Sequence, residues 1–427
     1  MTKKTQGQPA QARPGELERA KYGAAAFAGI PGKLPNPFPR VMGPNCLKYL
    51  QEVVESGLTS TILARFEQAF AEALGAKHCI ATPGCTPALA VLAAAFAFEP
   101  GDEIVVSSVT DYGTIQGLIR ENYIPVFADA APGTVNVSAE TIERCITDRT
   151  RAVLVVHKTG LMCDMDPILA LAAKKGLIVY EDACQAVFSR YKGRPAGTIA
   201  HAGAFSFDSE KTLGSDVGGC IVTNDDKLAE RARFLGQSRG AVMVPHFGRR
   251  HVEPGYALRM PLCTAAICLA QLEMIRDQVA HIDRMVRLLS KRIGEIPGIT
   301  PLPIPDYQDV YSAWMFGMSL DPKAFRCSTE DFALQLEQAG VSGCGMGAYY
   351  LMPAACTFLE RNARQKVYPY SMPPASREYR YGAEACPTAR DFLATWVRWV
   401  SICAKYQPEH CALAAEIVRQ VADRNRV

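Results

Sequence analysis

The stretch FSFDSEKTLGSDVGG, Phe205 to Gly219, sets a single lysine between an apolar, strand-like start and glycine-rich chain. On a solvated turn, Lys211 needs no task. Desolvated at the end of a buried strand, it keeps a neutral amine, the nucleophile that forms a Schiff base with an aldehyde. Ser206 ends the same apolar run. A second stretch, LIVYEDACQAV at 177–187, ends an apolar strand on Asp182, with Gln185 close behind. A carboxylate buried there is costly unless donors or a cation meet it. Asp182 therefore reads either as a cap on the next element or as the partner of a cationic ring nitrogen. A third stretch, ATPGCTPAL at 81–89, turns through Pro83 and Gly84 into a helix opening near Thr86. Free N–H groups at a helix start favour an anion. Gly84, Cys85 and Thr86 read either as an ordinary cap or as a phosphate cradle. Together the three stretches describe one ligand. Pyridoxal phosphate needs an anion cradle, a carboxylate for its pyridinium nitrogen and a lysine for its aldehyde.

Positioning these groups requires a sheet whose strand ends converge. The pattern supplies one. LARFEQAFAEALGA (63–76) has helical apolar spacing and a terminal glycine. DEIVVSS (102–108), IPVFADA (124–130), RAVLVVH (151–157), LIVYEDA (177–183), AGAFSF (202–207) and GGCIVT (218–223) read as strands, with helices at 167–176 and 226–236. Apolar strands alternating with helices imply a largely parallel sheet covered on both faces. Ligands bind such sheets at the C-terminal strand ends. From about 264 one long helical stretch bridges to a region mixing short strands near 311–320 with helices near 329–339 and 409–424. The expected organisation is a tail and arm over 1–45, a large domain over 46–295 and a small domain over 296–427.

Composition narrows the function class. Of the 427 residues, 48% are hydrophobic and 21% charged, which makes disorder a poor description. A net charge of +3, spread along the chain, gives no basic stripe for nucleic acid. The first 45 residues are too short and too rich in Pro and Gly for a helix-turn-helix, which argues against a cofactor-binding regulator. The 15 cysteines show neither framework nor zinc spacing, so reduced thiols and a cytoplasmic setting are expected. The opening MTKKTQGQPAQARPGE lacks the apolar core of a secretory signal, and no run is long and apolar enough for a membrane span. Residues 240–255 read as a basic loop carrying Arg249 and Arg250, with Arg239 just before it. Such a loop is either simply exposed or a contact for an anionic substrate.

The segments SGLTSTILARFEQAFAEALGAKHCIA, VHKTGLMCDMDPI, EDACQAV, YKGRPAGTIAHAGAFSFDSEKTLGSDVGGCIVT and GYALRM resemble the DegT/StrS-type sugar aminotransferases. The resemblance runs from about Ser56 to Met260 and more faintly to the C-terminus. It implies the α/β fold type I of pyridoxal-phosphate-dependent transferases: a mainly parallel seven-stranded sheet in a large domain, plus a smaller α+β domain. It implies an internal aldimine on Lys211, Asp182 on the pyridine nitrogen, Gln185 on the phenolic oxygen, and Ser206, Cys85 and Thr86 on the phosphate. It also implies a homodimer with a shared active site, an amino-acid donor (glutamate or glutamine) and a keto or aldehyde sugar, sugar nucleotide, cyclitol or ulosonate as acceptor. His157, at a strand end, is a further cofactor-side candidate or a satisfied buried histidine. A lyase, dehydratase or decarboxylase is the alternative within the same cofactor chemistry. Three places depart from the family pattern, one being Asp216-Val217-Gly218-Gly219, where the family has a Gly-Glu-Gly-Gly turn. Asp111 stands where an aromatic stacks on the ring, leaving that role to Tyr112. Ala257 stands where an asparagine reaches the phosphate across the dimer, leaving Arg259 as a substitute.

Overall fold

Period-two burial along continuous apolar strands decides which side chains meet. In the computed structural model, which describes residues 32–237, 240–372, 377–400 and 402–427, seven strands form one sheet. They are β1 His78–Thr82, β2 Glu103–Ser107, β3 Ile124–Ala128, β4 Thr150–Val156, β5 Ile178–Asp182, β6 Ala202–Ser206 and β7 Gly219–Thr223. Their spatial order is β1-β7-β6-β5-β4-β2-β3. The pairs β2–β3, β2–β4, β4–β5 and β5–β6 are parallel. β7 runs antiparallel to both β6 and β1. Apolar residues on both faces, such as Val105 with Val106 and Val153 with Leu154, make the strands core on either side. The expected α/β class and its mainly parallel sheet are what the structure has.

One apolar cluster contains Ile80, Leu154, Tyr180 and Ala204, together with Leu89 and Leu92 of helix α3, Cys85–Phe96. The opposite cluster contains Val155, Val179, Phe205 and Val222, packed with Phe66 and Phe70 of α2, Ile62–Leu74. A shorter helix, α1, spans Cys46–Glu55. Helix α2 stops at Gly75, whose φ of 69° is the left-handed conformation glycine adopts without strain. Residues 182 and 180 thus share one face of β5, while 181 and 179 share the other.

Past β7, α4 Asp226–Gln237 leads to a hairpin, Ala241–Val244 paired with Gly248–His251. The segment read as an open basic loop is therefore partly paired. Its short Val-Met-Val alternation is too brief to separate from loop by pattern alone, and Arg239 lies outside the described residues. Helix α5, Leu262–Gly294, has 33 residues and is about 50 Å long at 1.5 Å per residue. It packs on α1, α2 and the terminal helix α6, Pro408–Asn425. A second, antiparallel sheet runs Ile299–Pro301, Phe316–Leu320, Trp396–Trp399, Cys344–Met346 in spatial order. Gln308–Val310 returns to pair with Arg190–Tyr191 beside the first sheet. Of the tail and arm, residues 1–31 lie outside the described residues, and the arm from Gly32 runs along the body to α1. Among the described residues no helix is long and apolar enough to cross a membrane.

Candidate active site

The C-terminal ends of β1, β5 and β6 meet where the chain places its distinctive polar groups. β1 ends at Thr82, and Gly84 caps α3 with an extended backbone. The first backbone bond of α3 is Ala88 N–H to the Gly84 carbonyl, 3.1 Å, and Pro87 has no N–H. The amides of Cys85 and Thr86 are thus left facing outward at the positive end of a 12-residue helix. Two glycines fix this turn by close approach. A Cβ on Gly219 would lie 2.3 Å from the Gly84 carbonyl carbon, and one on Gly113 would lie 2.3 Å from Thr86 Oγ1. Ser206 ends β6 nearly buried, its Oγ accepting from Asp208 N–H at 3.3 Å.

Asp182 ends β5, in register with Val156 on one side and Ala204 on the other. It is buried. Thr114 Oγ1 donates to its Oδ2 at 2.7 Å, and Cys184 N–H donates to Oδ1 at 3.1 Å. Cys85 Sγ approaches the same Oδ1 at 3.8 Å. All these donors are neutral. Among the described residues no lysine, arginine or histidine reaches salt-bridge distance of this carboxylate. The sulfurs of Cys85 and Cys184 and the Asp182 carboxylate lie within 4.8 Å of one another. The Cys85 thiol is held well above its usual range by a hydrogen bond with the Cys184 thiol, by desolvation and by the nearby Asp182 carboxylate. Gln185, also buried, accepts from Thr159 N–H at 2.7 Å and so ties the end of β4 to the end of β5.

Lys211 lies on the loop after β6, half-buried. Its Nζ sits 3.9 Å from the centroid of the Trp314 ring. Trp314 is itself fixed by its indole N–H to the Glu210 carbonyl, 3.0 Å. Arg40, from the N-terminal arm, donates to the carbonyls of Ser209, Lys211 and Thr212, clamping the loop. A cavity of about 340 Å³ opens here, lined by the arm, Lys211, Trp314 and the 403–405 segment. Asp182 and Cys85 do not line it.

His157 is placed elsewhere. Its Nε2 lies 2.9 Å from Glu181 Oε2, and its Nδ1 accepts from Cys163 N–H at 3.2 Å. By strand parity it shares Glu181's side of the sheet, away from Asp182. Tyr112 stands at the start of the helix Gly113–Arg120, 41% exposed and edge-on to Phe358. Asp111 accepts from Gly113 N–H at 3.1 Å. Arg259 and Ala257 are exposed beside α5. The sequence reading missed Thr114, Trp314 and Arg40, whose roles are purely tertiary. It also missed Lys158, which is 0% exposed, with Nζ 3.0 Å from the Tyr350 ring centroid. A lysine following an apolar strand run was the available signal.

The arrangement suits pyridoxal phosphate. Outward amides at Cys85 and Thr86 fit a phosphate, and a buried carboxylate met only by neutral donors fits a cationic ring nitrogen. A half-buried amine on the adjacent loop fits an aldehyde. Comparison with known proteins points the same way. The model of the DegT/DnrJ/EryC1/StrS aminotransferase family matches residues 42–380. GDP-perosamine synthase of Caulobacter vibrioides is 36% identical over 287 residues, covering 66% of this chain and 76% of that protein. The spore coat polysaccharide biosynthesis protein SpsC of Bacillus subtilis is 36% identical over 294 residues, covering 66% and 75%. The structure of Helicobacter pylori PseC, an aminotransferase involved in pseudoaminic acid biosynthesis, superposes with a TM-score of 0.77 at 22% identity. It covers 92% of this chain and all of that one.

Proposed function

This chain belongs to the DegT/DnrJ/EryC1/StrS aminotransferase family and is a transaminase, and from that premise we propose its substrates and the task of each residue. The donor is an amino acid, glutamate or glutamine. The acceptor is a keto or aldehyde group on a sugar, sugar nucleotide, cyclitol or ulosonate, the sugar class being supported by relatives that act in perosamine and spore-coat polysaccharide synthesis. Pyridoxal phosphate, the family's cofactor, supplies an electron sink that lets a Cα–H bond break and the amino group change hands.

The chain's own residues serve that chemistry in four ways. The Lys211 amine would hold the cofactor through its aldehyde and, when free, would move a proton at the substrate carbon. Asp182 keeps the ring nitrogen protonated, and Thr114 and the Cys184 amide orient its two oxygens. The amides of Cys85 and Thr86, with the hydroxyls of Thr86 and Ser206, take the phosphate. Gln185, held by Thr159 N–H, would serve the ring's phenolic oxygen. Tyr112 would cover the ring, and Arg259 would stand in at the phosphate for the asparagine that Ala257 replaces. His157 braces Glu181 and the sheet rather than touching the cofactor. The homodimer is supported by large apolar side chains left at the surface, including Met243 (74% exposed) and Phe247 (64% exposed) of the hairpin.

One observation carries the reading: Asp182 is buried and met only by neutral donors, so it lacks the cation that a pyridinium would provide. The test is to add pyridoxal phosphate and then glutamate or glutamine to the purified protein. The expected result is a visible Schiff-base band that bleaches as the donor's keto acid appears. If no amino acid bleaches the band, transamination from an amino acid is excluded. Turnover of a sugar or amino-acid substrate with no keto acid formed from the donor would assign a lyase, dehydratase or decarboxylase instead.

A further inference from the structure

Lys158 has no task in the scheme above, yet the fold spends a buried position on it. It follows β4 by two residues, beyond Val156, the register partner of Asp182. Its backbone is anchored: N–H to Asn136 Oδ1 at 3.2 Å, and carbonyl to Leu161 N–H at 3.0 Å. The next residue, Thr159, is the one Gln185 holds. The Lys158 side chain is fully covered, and its Nζ has no hydrogen-bond acceptor. Instead the amine rests on the face of Tyr350, which is held to the strand side by its carbonyl bonding Thr110 N–H at 2.9 Å. A cation–π contact offsets only part of the loss of water. Burial accordingly holds the amine well below its usual titration range; the groups that act on it by charge are Cys184, Lys211, Asp111 and Asp182. A methionine would fill this volume without that cost. What the position lacks is an anionic oxygen.

We propose that Lys158 receives the α-carboxylate of the amino donor, making it a specificity-determining residue for the half-reaction with amino acids. The inference rests on the transaminase reading of the site. Every amino-acid donor brings a carboxylate on the carbon that must sit beside the Lys211 amine. The phosphate has its own donors at the start of α3, so it does not need this cation. The four-carbon stem lets the ammonium leave the Tyr350 face for a carboxylate while the anchored backbone stays still. Pairing then favours the charged amine, because an opposite charge at short range outweighs desolvation. A sugar acceptor without a carboxylate makes no use of it.

The experiment compares the cofactor-loaded wild-type protein with K158M, K158Q and K158R. Loss of a charge-assisted bond predicts that K158M and K158Q weaken glutamate binding about 10- to 100-fold in the first half-reaction. K158R retains part of the affinity. Calorimetry with succinate, an unreactive dicarboxylate, follows the same order. The half-reaction of the pyridoxamine form with a neutral keto sugar stays within about twofold of wild type. K158M melts no lower than wild type. Glutamate and succinate affinities unchanged in both K158M and K158Q overturn the proposal. So does a change confined to the cofactor's absorbance, which would place the amine on the ring oxygen, or a lower melting temperature with unchanged affinity, which would make Lys158 structural. If wild-type protein loads cofactor but answers to no amino acid, the transaminase reading itself fails, a result distinct from each of these.

Discussion

Two adjacent carboxylates at the end of β5 point to opposite faces of the same sheet. Glu181 is fully buried and fully met: it accepts from the amides of Gly197, Ile199 and Ala200 at 2.8 Å each and pairs with His157. It fastens the 197–200 turn under the strand. Asp182 is nearly as buried but, among the described residues, holds only a threonine hydroxyl, one amide and a distant thiol. A satisfied buried charge is a structural fastener. An under-satisfied one, beside Cys85 at the start of α3, suits a cationic ligand. The same contrast separates His157, engaged at both nitrogens, from Lys158, engaged by a ring face alone.

Substitution breaks the contrast in opposite ways. Asp182→Asn should lower turnover roughly a thousandfold, the loss typical when a group stabilising transition-state charge is removed. Its melting temperature should hold or rise, since an unpaired buried charge is gone. Turnover by cofactor bleaching and melting by calorimetry, on one preparation, check both. Glu181→Gln should do the reverse. Breaking the pair with His157 and crowding three amide donors with an added NH2 costs about 3 kcal/mol of stability. Activity per folded molecule should stay near wild type. A denaturant titration with active-site counting decides it, and a large loss of turnover without unfolding would dissolve the distinction between the two faces.

Thr114→Val sharpens the comparison on the Asp182 side. It removes the only hydroxyl donor to that carboxylate among the described residues and should cost about 1 kcal/mol, or close to fivefold in turnover. Full activity in this variant would mean that Asp182 needs no orientation. The smallest effect expected is chemical. With its thiol pKa pushed up by the hydrogen bond with Cys184, by burial and by Asp182, Cys85 should be spared by iodoacetamide at neutral pH, where too little thiolate exists. Exposed Cys263 should react first. Peptide mass mapping reads the order directly.

Much of this was legible in the chain. Continuous apolar runs located β2 to β7, and the turn at Gly84 announced the start of α3. Asp182, Gln185 and Ser206 stood out because a polar residue ending an apolar strand is a local signal. Parity also put His157 with Glu181 once the register of β4 against β5 was known, but register is a property of the sheet and not of either strand. Thr114 and Arg40 were invisible for the same reason. Arg40 acts on carbonyls about 170 residues away, and nothing in its own neighbourhood marks it. Lys158 fell between: its type was odd for its place, but only burial without an acceptor made it informative.

The central claim is that the amine of Lys211, not that of Lys158, carries the cofactor. Borohydride reduction of the protein loaded with pyridoxal phosphate, followed by peptide mapping, tests this most directly. The account predicts a reduced pyridoxyl group on the peptide containing Lys211 and an unmodified Lys158. A label on Lys158, or on neither lysine, would contradict it.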